Sequence, residues 1–224
     1  MPSCTDMAEQ VTENDPTPKE NVTSAAGTGG DASTDTTKME HEGDAERNGY
    51  VVMKHAIPES IIAETHVDES EFKVSPSGQY KEFKKGAPGQ KIVEYFVKNV
   101  SKQSLIDLGV SKTNAEKNPI TVAFGEYLLD EHEPLVQRRT AGPSSYVYVT
   151  IATSERLSPE EGLPEFIPGS HRLQAGTIGE IFNLETDKIT LYRGWAVAWT
   201  PQLLSKWPRG GGGSYVLLVY PKEA

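Results

Sequence analysis

Five histidines, one cysteine and one run of four glycines are the places where residue type alone would let this chain do chemistry. The imidazoles are His41, His55, His66, His132 and His171, and none lies beyond position 171. Cys4 has no partner for an intramolecular disulfide, which points to a reducing, intracellular setting. Gly210-Gly211-Gly212-Gly213 follows Arg209, but a phosphate cradle opens a helix, where backbone N–H groups face the anion. Here the glycines precede the apolar run Ser214–Tyr220, so they read as a flexible hairpin loop. Neither a G-x-G-x-x-G nor a Walker loop occurs, and nucleotide chemistry of those kinds is excluded. Trp195, Trp199 and Trp207 read as packing residues, with Trp207 placed to rim a pocket mouth.

Composition narrows the field. The 224 residues carry a net charge of -10, and residues 1–47 hold most of it, with 11 acidic side chains against 3 basic ones. That segment has no aromatic residue and no apolar periodicity, so it cannot bury enough surface to offset the entropy of ordering it. It reads as a disordered acidic leader, able to recruit a protein partner electrostatically. Residues 48–224 read as the folded domain. Neither part has the basic footprint of a nucleic-acid binder. No apolar run approaches the roughly 20 residues of a membrane span, and the first residues lack a basic, then apolar, signal pattern. A cytoplasmic protein without membrane or nucleic-acid partners is expected.

The domain opens with an apolar strand, Tyr50–Met53, then a helix led by Pro58, where a fixed φ suits the first turn. Residues 66–89 are polar and read as a surface excursion. Ile92, Val93, Phe96, Val97 and Val100 share one face of a helix over 91–100, and a shorter helix over 103–108 ends at Gly109. Strands are expected at 120–128, 145–153, 164–167, 188–192, 195–199 and 214–220. The run 145–153 sets Tyr146, Tyr148 and Thr150 against Val147, Val149 and Ile151, as a strand between a core and a cavity, or between a core and a second sheet, would. Helices followed by many short strands make the class α+β or mainly β.

Three segments in register give a resemblance. Asn48–Glu59, Glu161–Arg172 with its Pro168-Gly169-Ser170-His171 turn, and Arg193–Trp199 together are similar to the phytanoyl-CoA dioxygenase-like branch of the iron(II) and 2-oxoglutarate dependent oxygenases. The resemblance spans residues 48–224 and implies a double-stranded β-helix, a cupin-like jelly roll, buttressed by helices from the N-terminal half.

It also implies a metal site of two histidines and one carboxylate, with an Arg on the last strand for the far carboxylate of 2-oxoglutarate. Counting back from the Pro-Gly-Ser-His turn puts the first ligands near Asp130-Glu131-His132-Glu133-Pro134. His132 is there, but Pro134 stands where the His-x-Asp carboxylate belongs. Asp130 shares a face with His132 in an extended segment, whereas Glu133 points the other way. Counting forward from Trp199, Ser205 or Lys206 replaces the distal histidine, and the last strand has no Arg. His171 and its turn are structural in the resemblance, and Arg172 is a turn contact.

These departures lead to an expectation of an oxygenase-fold protein that has lost iron and 2-oxoglutarate chemistry, needs no cofactor, and binds a small molecule or a partner. The alternative is an active dioxygenase acting on a small organic substrate with iron(II) and 2-oxoglutarate, its metal held by His132 with Asp130 or Glu133 and a third ligand that the sequence does not identify.

Overall fold

The structure, a computed structural model, describes residues 40–65, 72–83, 89–129, 136–138, 145–173 and 184–222. Its frame is an antiparallel sheet of eight strands. In chain order these are β1 (His41–Glu42), β2 (Tyr50–Met53), β3 (Lys73–Val74), β4 (Tyr80–Phe83), β5 (Thr121–Tyr127), β7 (Tyr146–Ala152), β11 (Ala196–Trp199) and β13 (Ser214–Pro221). Their order across the sheet is β1-β2-β11-β7-β13-β5-β4-β3. Facing it are a three-stranded sheet of β6 (Val136–Arg138), β12 (Leu204–Lys206) and β9 (Glu165–Phe166), and a two-stranded pair of β8 (Arg156–Leu157) and β10 (Leu191–Tyr192). Two facing antiparallel sheets with helices on one outer side form the expected double-stranded β-helix, and the fold is mainly β.

Side chains alternate across each strand, so every strand of the large sheet feeds two cores. Val51, Met53, Val147, Val149, Ile151, Ala198, Val216 and Leu218 face the helices. Val52, Val197, Trp199, Tyr215, Leu217 and Val219 face the smaller sheets. The helices are α1 (Ala45–Asn48), α2 (Glu59–Ala63), α3 (Gln90–Asn99), α4 (Gln103–Asp107) and α5 (Lys112–Ala115). Helix α3 buries Ile92, Val93 and Phe96, the positions its periodicity selects. The Lys102 ammonium closes its end, donating to the carbonyls of Phe96 and Val100 and lying over the Phe96 ring. Burial brings the pKa of that ammonium down to about 8.

Three expectations need correction. Ordered structure begins ahead of Asn48, because His41–Glu42 pairs with β2 and Asp44 caps helix α1; residues 1–39 lie outside the described residues. The stretch 66–89 is not only a surface excursion, since β4 pairs with β5 over four residues. The glycine run is closely packed, not loose. Gly213 donates to the Glu161 carbonyl, Gly212 donates to the Tyr127 carbonyl, and side chains at 210, 211 and 213 would overlap neighbouring backbone.

Two of the segments that carry the resemblance touch. Gly49 ends helix α1 at φ 82, and a Cβ there would overlap the His171 ring. Around that contact Gly169 N–H donates to Asn48 at 3.0 Å, Thr200 N–H donates to Gly49 at 3.2 Å, and Arg172 reaches the Arg47 carbonyl. The Ser170 hydroxyl, 1 % exposed, donates to the Ile167 carbonyl and accepts from Leu204 N–H at 2.8 Å. The Pro-Gly-Ser-His turn thereby ties β9 to β12, and β12 to the start of the large sheet.

Two outcomes follow for urea unfolding. Gly49→Ala loses about 2 kcal/mol or more, from a left-handed backbone and an overlap with the imidazole, and His171→Ala in the same chain recovers part of that loss. Ser170→Ala loses about 1–3 kcal/mol, because the Leu204 N–H stays buried without its acceptor.

Candidate functional site

The space between the sheets is a cavity of about 120 Å³. Its floor is the inner face of the large sheet. In register across three strands, Ala123, Leu217 and Thr150 form one row, while Gly125, Tyr215 and Ala152 form the next. Thr150, Tyr215 and Leu217 of these rows face the cavity, and the Tyr215 ring lies over Gly125. Thr150 is held in place as the acceptor of the Trp199 indole N–H at 3.1 Å.

The walls are aromatic. At one end Tyr80 stacks on Trp207, Trp207 meets Tyr127 edge to face, and Tyr127 stacks on Tyr215 with centroids 4.5 Å apart. At the other end Trp199 packs between Tyr148 and Phe166, and Phe166 stacks on Tyr50. The Tyr50 hydroxyl donates to Asp187, which is bridged by backbone to Phe166, so this end clamps one sheet to the other. Burial and the Asp187 carboxylate both push the Tyr50 pKa up and keep the phenol neutral. The polar atoms along the wall come from Thr150, Ser205, Gln79 and Ser77.

Of Ser205 and Lys206, the two positions that the resemblance gives for the distal ligand, Ser205 lines the cavity. It lies on β12, opposite Phe166 and Gln137, and is 7 % exposed. Lys206 follows it and pairs with Val136 instead. On the last strand the inward positions are Tyr215, Leu217 and Val219. Asp130, His132 and Glu133 lie outside the described residues, between Tyr127, which lines the cavity, and β6, which pairs with β12.

The described histidines lie elsewhere. His41 Nδ1 is 2.8 Å from the Ser104 hydroxyl on the helical side, and His55 meets Trp195. His171 sits against Gly49 as a packing residue, its Nδ1 buried without a partner among the described residues. His66 is outside the described residues. Among the described residues, no three His, Cys, Asp or Glu side chains are grouped to hold a metal ion, and the cavity wall has no imidazole or carboxylate. The described wall therefore does not fit an iron centre, whose ligands would have to come from elsewhere.

No protein-family model and no curated protein sequence matches the chain. Solved structures do match it. The non-heme alpha ketoglutarate dependent carbocyclase SnoK from nogalamycin biosynthesis is 12 % identical over 80 % of this chain and 81 % of its own, with a TM-score of 0.57. HygX from Streptomyces hygroscopicus, with nickel, 2-oxoglutarate and hygromycin B bound, is 11 % identical over 80 % of this chain and 84 % of its own, at 0.56. The epimerase SnoN, in complex with Fe3+, alpha ketoglutarate and nogalamycin RO, is 14 % identical over 80 % and 81 %, at 0.54. The chain has the fold of the iron and 2-oxoglutarate dependent oxygenases. This corrects the expectation of a domain without cofactors, because HygX and SnoN hold a metal and the keto acid in this same fold.

Much of the site was outside the sequence reading. Trp199 and Trp207 were assigned to packing and a pocket rim, and both line the cavity. Tyr80, Tyr127 and Tyr215 carry no signal of this role in the sequence; of the two surroundings expected for 145–153, a cavity or a second sheet, Thr150 meets the cavity. Trp195 lies apart, with His55, Tyr192 and Lys54 around it.

His171 gives the site's surroundings a pH dependence. Burial, then the Arg172 charge, hold its pKa below the ordinary value, and a bond to the Glu46 backbone only partly opposes them. A depressed folded-state pKa means that the unfolded chain takes up the proton first, so stability falls as pH drops below about 6.5. The urea midpoint is expected to decline between pH 7.5 and pH 5.5, and His171→Gln to flatten part of that decline.

Proposed function

We propose that the barrel cavity is the ligand site of the protein and that it takes a small organic molecule with a flat, largely apolar body. The observation that carries this is the wall itself: aromatic rings at both ends, with Thr150 and Ser205 as polar points between them. A volume of about 120 Å³ is on the scale of the roughly 150 Å³ cavity that holds a benzene-sized guest. Aromatic lining with a few polar groups is the usual make-up of such sites. The Pro168–His171 turn and its two companion segments support a place in the phytanoyl-CoA dioxygenase-like branch.

The test is a panel of small aromatic and heteroaromatic compounds scored by thermal unfolding of the full-length protein. At least one compound is expected to raise the midpoint in a concentration-dependent way. Ser205→Trp, which fills the cavity from β12, is expected to remove that shift while leaving the circular dichroism spectrum unchanged. A shift retained in Ser205→Trp contradicts the assignment.

The comparisons favour a second reading, in which the chain is an iron(II) and 2-oxoglutarate dependent oxygenase acting on its cavity ligand. The metals and keto acid in HygX and SnoN support it. Its ligands would include His132 with Asp130 or Glu133, and the metal would supply oxidation of the bound molecule. Anaerobic iron(II) titration separates the two readings. The oxygenase reading requires one iron per chain, lost in His132→Ala and kept in His171→Ala; equal retention by both variants removes it.

A further inference from the structure

We infer that the cavity selects a positively charged ligand, an organic ammonium whose head sits among Tyr80, Tyr127, Trp207 and Tyr215. This inference rests on the cavity being the ligand site. It is carried by a buried carboxylate placed behind the aromatic end.

Glu82 and Tyr80 share the inward face of β4, while Lys81 and Phe83 point outward; Lys81 pairs with Glu126 and lies over Phe72. Across the sheet Glu82 is level with Gly125, and Gly125 with Tyr215. A Cβ on Gly125 would collide with the Tyr215 ring. The bare glycine lets that ring lie flat across β5, so that its hydroxyl donates to the Glu82 carboxylate at 3.2 Å. Glu82 is 7 % exposed, and Tyr215 is its hydrogen-bond partner among the described residues.

Among the described residues no cation pairs with this buried carboxylate, and no Lys or Arg lines the cavity. The phenol that donates to it becomes more electron-rich, which strengthens the negative face of a ring already stacked on Tyr127. Four contiguous ring systems in front of the Glu82 carboxyl group attract a desolvated ammonium through the ring quadrupoles, and that group gives the ammonium an acidic partner. The same group disfavours an anionic head at that end.

The test uses choline, its uncharged tert-butyl isostere and 2-oxoglutarate as probes, with calorimetric titration of the full-length protein. Choline is expected to bind about tenfold more tightly than the isostere. Glu82→Gln should cut that preference to about twofold while leaving the isostere's affinity unchanged. Trp207→Leu should abolish the preference and Trp207→Phe should keep most of it, so the Trp207 pair decides the matter if Glu82→Gln does not fold. Equal binding of choline and isostere overturns the charge selection and leaves the cavity assignment standing. Tighter binding of 2-oxoglutarate than of choline, or a full preference in Glu82→Gln, also overturns it. Binding of neither choline nor isostere overturns the inference and counts against the cavity as well.

Discussion

A single buried hydroxyl holds the barrel in register. Ser170 joins the Ile167 carbonyl to the Leu204 N–H, and that bond fixes where β12 enters the smaller sheet. Everything on β12 inherits its position from there, including Ser205 in the cavity wall. The neighbouring contacts, Gly169 on Asn48 and His171 on Gly49, anchor the same turn to the end of helix α1, where the chain enters β2. Chain segments more than a hundred residues apart in sequence thus meet at one turn, and the cavity lies between the layers it joins.

The large sheet separates two interiors that have different jobs. Its helix-facing side is mostly aliphatic, with Ile92 and Leu105 fully buried against valines and alanines of the strands and Phe96 tilted against Tyr220. Its barrel-facing side carries most of the aromatic rings and borders the cavity through Thr150, Tyr215 and Leu217. One strand, β7, shows both roles in alternate residues: Val147, Val149 and Ile151 close the first interior, while Tyr148 and Thr150 face the second.

The parts legible in the sequence were those set by short-range pattern. The periodicity of α3, the alternation in β7 and the close of α4 at Gly109 all follow from local residue order. What stayed hidden depends on long-range pairing. Tyr80-Lys81-Glu82-Phe83 carries a charge toward each face, which masks its alternation, so β4 looked like loop; only its pairing with β5 and the Tyr215 bond make Glu82 a buried residue. The glycines at 210–213 looked loose because glycine permits many conformations, whereas here Gly210, Gly211 and Gly213 are required by backbone passing within contact distance and Gly212 by its left-handed φ of 88. Counting along the sequence reaches Ser205 or Lys206 on β12 without choosing between them; what surrounds Ser205 was not readable, since its cross-strand neighbours come from β6 and β9 and the cavity it lines is shared with β5, β7 and β13.

The account stands or falls on the ligand meeting Trp199 and Trp207 inside the barrel, and the indole N–H resonances report this directly. Trp195 lies outside the cavity and serves as an internal reference. On titration with a ligand that stabilises the protein, the signals of Trp199 and Trp207 are expected to move together with saturation while that of Trp195 stays fixed. Movement of the Trp195 signal alone, or a bound ligand that leaves both cavity indoles unchanged, would contradict the account.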